Sequence, residues 1–187
     1  MENNLRALIT GASSGIGMAY AKYLANQGWS LDLVSKDPSR SQEAEKILNY
    51  SKANNFLADL SQPSEVEDLL SKLPTPNLLI ANAGVTKYGK AGSISKQEKT
   101  DLFYLLCNGV IDLIEGFLPE MKEKENSRII IISSIAAITP MPKSSIYASA
   151  KSAIYSYGQS LSYELKQNKI PVTVSLPGYV RTDIHKK

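Results

Sequence analysis

The feature that most narrows what this chain can fold into is a glycine-spaced turn close to its start. The apolar run Leu5–Ile9 leads directly into Thr10-Gly11-Ala12-Ser13-Ser14-Gly15-Ile16-Gly17, and a stretch with small and apolar residues at helical spacing, Ile16–Gln27, follows and stops at Gly28. Strand, glycine turn and helix in that order suit a dinucleotide-binding turn. Gly11 permits the tight exit from the strand, Gly15 lets backbone approach a pyrophosphate, and Gly17 lets the helix pack close to the sheet. The helix N-terminus then presents unpaired N–H groups and partial positive charge to phosphates, and Ser13 and Ser14 add hydroxyl donors. A glycine turn by itself is a weak signal; here the strand before it and the helix after it supply the context it needs.

The remainder of the chain keeps the same alternation. Further strands are expected at Leu31–Val34, Asn55–Ala58, Leu78–Ala81, Arg128–Ile132 and Val172–Leu176. Several are unbroken apolar runs, the pattern of parallel strands covered on both faces. Helices are expected at Arg40–Ala53, from Pro63 to before Pro74, along Lys96–Lys124 with a bend near Gly116 or Pro119, and along Ser145–Gln167. Right-handed βαβ crossovers between them predict an α/β fold. The expected architecture is a Rossmann-like, doubly wound parallel sheet of about six strands in the order 3-2-1-4-5-6, with helices on both faces.

Composition enters mainly through what it excludes. A chain of 187 residues with 43% hydrophobic and 21% charged residues reads as one soluble globular domain over 1–187. The net charge of +3 comes without a basic run, so neither a nucleic-acid nor a membrane partner is expected. Cys107 is the single cysteine, which fits a reducing compartment. His185 is the single histidine and lies near the end, which argues against a Ser/His/Asp triad and a histidine-rich metal site; no metal is expected. The opening residues carry no basic n-region ahead of a long apolar run, and the longest aliphatic run, Ile129–Ile132, is far too short to cross a bilayer. A cytoplasmic location is therefore the default expectation.

A second chemical signal is Tyr147-Ala148-Ser149-Ala150-Lys151, where positions i and i+4 share one helix face. Bringing a phenol from its usual pKa of about 10 to 7 needs ~4 kcal/mol. One positive charge ~4 Å away at an effective dielectric near 20 supplies about that much. Tyr and Lys at this spacing are also common on ordinary amphipathic helices, so the pair takes its meaning from its company.

That company is a series in register: TGASSGIG at 10–17, Asp59-Leu60, Asn82-Ala83-Gly84, Asn108, Ser134, Tyr147 with Lys151, and Pro177-Gly178. Together they resemble the short-chain dehydrogenase/reductase superfamily, in its TGxxxGxG branch, over nearly the whole chain. The resemblance implies that Tyr147 is the general acid/base and that Lys151 lowers its pKa and holds the nicotinamide ribose. It implies that Ser134 binds the substrate oxygen and that Asn108 helps a water-linked proton relay to Lys151. It implies cofactor contacts at Gly11, Ser13, Ser14, Gly15, Ile16 and Gly17, at Ser35 and Lys36, at Asp59 and Leu60, and at Asn82, Ala83 and Gly84. Further contacts are implied at Tyr147, Lys151, Pro177, Gly178, Val180 and Thr182. Ser133 neighbours Ser134, but the resemblance implies Ser134, whose thirteen-residue interval to Tyr147 matches the family pattern.

The implied activity is hydride transfer between a nicotinamide and a carbonyl or secondary alcohol, in a homodimer or homotetramer. The second strand ends Val34-Ser35-Lys36-Asp37. A hydroxyl and a cation at that place favour NADP(H); Asp37 keeps NAD(H) open. The chain stops five residues after Thr182, so the substrate-covering segment and seventh strand usual in the family are expected to be absent. Three readings stand at this point: a compact, open-sited enzyme; a truncated, weakly active form; or a non-catalytic, cofactor-binding regulatory module. The intact Ser134, Tyr147, Lys151 and Asn108 favour the first.

Overall fold

The structure, a computed structural model, describes residues 5–48 and 52–180. Six strands form one parallel sheet: β1 (Arg6–Thr10), β2 (Ser30–Ser35), β3 (Ala53–Leu57), β4 (Leu78–Ala81), β5 (Arg128–Ile132) and β6 (Val172–Ser175). Their order is β3-β2-β1-β4-β5-β6, as the alternation predicts. The register sets Leu8 beside Asp32 and Leu79, and Ile130 beside Ile80 and Thr173.

The unbroken apolar runs are explained by burial on both sides. Ala7, Ile9, Leu31, Leu33, Leu78 and Ile80 pack with Ala21 and Leu24 of α1 (Gly15–Asn26). On the opposite face Leu8, Leu79, Ile129 and Ile131 meet Leu69 of α3 (Pro63–Lys72), after α2 (Pro38–Leu48) in chain order. The same core takes Leu113, Ile114, Phe117 and Met121 of α5 (Gly109–Glu123) and Ile154 and Leu161 of α6 (Ser145–Glu164). Each fully buried aliphatic side chain contributes roughly 1.5–3 kcal/mol, so these two layers carry the fold.

Two helices depart from expectation. The helix expected at Arg40–Ala53 begins at Pro38, and Ala53 opens β3. The Lys96–Lys124 stretch is interrupted ahead of Gly116 and Pro119. It divides at a π-turn, Tyr104–Asn108, between α4 (Lys96–Phe103) and α5. Gly116 serves packing instead: a Cβ there would lie 2.6 Å from both terminal methyls of Leu70. Pro119 sits inside α5 without ending it. By length and composition the stretch Lys96–Glu123 is apolar enough to cross a membrane, but the apolar side of α5 is spent on the core.

Polar groups in the amino-terminal half of the sheet are tied together. Arg6 donates to both oxygens of buried Asp32 at 2.9 and 2.8 Å, and the Asn54 side chain donates to Asp32 at 2.9 Å. Asn77 accepts from the Arg6 backbone at 3.1 Å and donates to the Glu125 carbonyl at 3.1 Å.

Candidate active site

The loops leaving the carboxyl ends of the strands enclose one cavity of about 870 Å³. Its floor is the glycine turn. Gly11 has φ +65°, a left-handed conformation that favours glycine. A Cβ on Gly17 would lie 2.3 Å from the Gly11 carbonyl oxygen, so only glycine lets the first turn of α1 close on the loop. The turn is pinned to β4 by two side chains. Asn82 Nδ2 donates to the Thr10 and Gly11 carbonyls at 2.9 and 3.2 Å, while Thr10 Oγ1 accepts the backbone N–H groups of Asn82 and Ala83, both at 2.9 Å. Ser14 is the N-cap of α1, its side chain makes no capping bond, and the first turn holds no acidic residue. The partial positive charge of the helix start is therefore left for an outside anion.

At the other end of the cavity α6 delivers Tyr147 and Lys151. Lys151 is buried, and its ammonium donates to the Ile132 carbonyl at 2.7 Å and lies 6.0 Å from the centre of the Tyr147 ring. Burial lowers its pKa to about 8, an effect that Cys107 opposes. Burial pushes the Tyr147 phenol above its usual value; its hydrogen bond with Ser134 pulls it down, and nearby Tyr88 pushes it up. In this arrangement the ammonium is turned onto the Ile132 carbonyl. The two serines divide their work. Ser133 donates to the Lys151 carbonyl at 2.8 Å and so anchors α6 to the end of β5. Ser134 caps the short 3₁₀ turn Ile135–Ala137, accepting from the Ala136 N–H at 3.1 Å, and lines the cavity near Tyr147.

The strand ends β2 and β3 form the remaining wall. Ser35 is buried and its hydroxyl has no hydrogen-bond partner. Lys36 pairs with Asp59, whose carboxylate also accepts from the Ser61 N–H and hydroxyl at 3.1 and 2.7 Å. Lys36 and Ser61 hold the Asp59 carboxyl below its ordinary range against the upward push of burial, the largest single influence on it. Asp37 also lines the cavity, but its Oδ1 is engaged locally: it accepts the Ser39 hydroxyl at 2.6 Å and the N–H groups of Ser39 and Arg40 at 3.0 and 3.4 Å. It caps α2, and those bonds hold its carboxyl below the usual range.

Most of the residues singled out from sequence line this cavity together, from Gly11 through Gly178 and Val180. Gly17 lies behind the wall and acts by close packing. Thr182 lies outside the described residues. Asn108 must be corrected: its side chain is exposed and does not line the cavity, while Leu106 and Cys107 turn inward. The π-turn holds one more residue than an α-turn and rotates the positions behind it, which regular helical counting does not anticipate. Burial raises the Cys107 thiol, an effect Lys151 partly opposes. Several positions that shape the cavity have places the sequence does not mark. Thr10 and Ser133 carry their roles only through long-range hydrogen bonds. Arg40, Tyr88, Leu102, Leu105 and Met141 line the cavity without any local motif to mark them.

The sequence pattern of the family described as short chain dehydrogenase matches residues 6–187. The 3-oxoacyl-[acyl-carrier-protein] reductase FabG of Escherichia coli is 29% identical over 184 residues, covering 95% of this chain and 74% of its own length. A short-chain dehydrogenase from Sphingobium yanoikuyae, solved in complex with NADPH, superposes with a TM-score of 0.89 at 29% identity, over 96% of this chain and 73% of that one. A relative from Burkholderia phymatum, solved in complex with NAD, gives 0.89 at 27% identity, over 97% and 68%. A sheet order, a glycine turn and a family pattern that all span the described fold lead to one assignment: this chain belongs to the short-chain dehydrogenase/reductase family of oxidoreductases.

Proposed function

We propose that this protein interconverts a carbonyl compound and its secondary alcohol with a nicotinamide dinucleotide, NADP(H) preferred. The observation that carries the reading is the placement of the Tyr147 phenol, the Ser134 hydroxyl and the Lys151 ammonium in the same cavity as the glycine turn. The residues present suit such a cofactor. The bare start of α1 meets a pyrophosphate, and the orphaned Ser35 hydroxyl beside Lys36 and Arg40 meets a 2′-phosphate. Asp37, the acidic residue that would favour a free 2′-hydroxyl, is engaged with α2. When bound, the nicotinamide supplies or accepts the hydride at the substrate carbon.

The protein's own groups handle the proton and the oxygen. Ser134 donates a hydrogen bond to the substrate oxygen, and Tyr147 passes its phenolic proton to that oxygen in reduction or removes it in oxidation. An ammonium has three donors and Ile132 uses one, so Lys151 keeps two for ribose hydroxyls and offers a nearby charge to a phenolate.

The test is titration with NADPH and NADH followed by fluorescence, then a panel of ketones and aldehydes at saturating cofactor. Tight NADPH binding with substrate-dependent oxidation is expected. Tyr147→Phe should lower turnover by about 10²- to 10⁴-fold and leave nucleotide affinity within about two-fold; normal turnover in that variant would exclude the mechanism.

A further inference from the structure

We propose that Asp59 sets the preference between the two nicotinamide dinucleotides, by holding Lys36 in an ion pair that a 2′-phosphate must break and a 2′-hydroxyl leaves intact. The inference rests on the cofactor site proposed above.

The geometry is set by the sheet. β2 and β3 run parallel with Ser35 beside Leu57, so the residues just past the two strand ends arrive side by side. Lys36 and Asp59 meet there, at the mouth of the pocket whose inner wall holds the unpartnered Ser35 hydroxyl. The two partners differ in freedom. The Asp59 side chain is 22% exposed, and Ser61 fixes it by two bonds. The Asp59 backbone is fixed as well, its N–H donating to Glu65 at 2.6 Å. The Lys36 side chain is 71% exposed and free to swing on its four-carbon stem. Asp59 is thus a stationary anion and Lys36 the movable cation.

A phosphate seated by Ser35 draws Lys36 away from Asp59 and leaves that carboxylate facing the new dianion. A ribose hydroxyl asks for neither change. Arg40, the other cation on this wall, reaches Asp37 only at 3.8 Å while the Asp37 carboxylate is occupied by Ser39, so it does not replace Lys36 as the gated group. The consequence is a pocket that takes both nucleotides, with a 2′-phosphate preference smaller than its lysine and free hydroxyl alone would give. Exposed ion pairs are weak, so the effect is a modest multiple and not a switch.

The experiment is calorimetric titration of the full chain with adenosine 2′,5′-bisphosphate and with 5′-AMP, read as the ratio of their affinities. Both probes carry the adenine and the 5′-phosphate, so contacts shared by the two cancel. Asp59→Asn should raise the ratio about three- to five-fold, and Lys36→Ala should lower it. In the Lys36→Ala background Asp59→Asn should raise it by less than about two-fold, because no lysine is left to release. An unchanged ratio in Asp59→Asn overturns the proposal, and so does an equal rise in both backgrounds, which would mark plain charge repulsion. Asp59→Ser repeats the test if Asp59→Asn does not melt like the parent. Failure of the parent protein to bind either probe would remove the cofactor site itself, whereas binding of both with a flat ratio would remove only the role of Asp59.

Discussion

In the amino-terminal half of the sheet, Asp32 is surrounded by Arg6 and Asn54, Asn77 is bonded on both sides, and every one of these polar groups has a protein partner. At the carboxyl end of the same strands, Ser35 has a buried hydroxyl with no partner, Lys151 is a buried cation held by one backbone carbonyl, and the start of α1 is uncapped by its own N-cap side chain. Burying a polar group without a partner costs free energy, so the two regions cannot have the same purpose. One half stabilises the fold with closed networks. The other keeps donors unspent, and they become satisfied only when something enters the cavity.

This contrast can be broken by substitution, and the largest effect belongs to the closed network. Asp32→Ala should lower unfolding free energy by about 3 kcal/mol in urea melts, because Arg6 is left part-buried without its carboxylate. Nucleotide affinity of the protein that remains folded should stay unchanged; a large loss of affinity would show that the two halves are not separable.

Lys151→Met should act in the opposite direction and raise stability by about 2 kcal/mol at pH 7. The unfolded chain holds the Lys151 proton up to its ordinary value of 10.5, the folded one only to about 8. Below about 8 both states are charged and the burial cost is fully present. It is relieved as pH rises from about 8 toward 10.5, so the advantage of the methionine variant should shrink over that window. A thermal melt series across pH 6–10 measures it, and a methionine variant less stable than the parent at pH 7 would contradict the account.

The smallest effect sharpens the comparison most. Ser35→Ala should leave stability unchanged or raise it by up to about 1 kcal/mol, since it removes a hydroxyl that bonds nothing. In the same protein NADPH affinity should fall several-fold while NADH affinity holds. Loss of stability instead would mean that Ser35 is already satisfied within the fold.

The sheet and its order were readable because buried parallel strands are written as apolar runs and each crossover is a local helix. Leu78–Ala81 and Arg128–Ile132 were placed to the residue for that reason. The glycine turn and the Tyr147–Lys151 spacing were readable because each is set by local backbone geometry. What stayed hidden depends on contacts between distant segments. The direction of the Lys151 ammonium is set by the Ile132 carbonyl, and the engagement of Asp37 is visible only once α2 begins at Pro38, earlier than its apolar pattern suggests. Arg40 reaches the cavity from the first turn of α2, ahead of that helix's apolar pattern, and Tyr88 from a loop that carries no periodic signal.

The π-turn at Tyr104–Asn108 has a consequence for any change in chain length. A π-turn is an α-helix holding one surplus residue, so the helix from Lys96 to Glu123 contains a built-in insertion. Deleting one residue between 104 and 108 need not break the rod; it can restore a regular one. Everything on the amino-terminal side would then turn by about 100° against α5. Leu102 would leave the core and Leu105 the cavity rim, while Leu113 and Phe117 kept their places. The surplus residue works as a fixed phase offset between the half of the rod that is bolted to the sheet and the half that faces the ligand. Shortening the rod by one position would detune the cavity while sparing the fold.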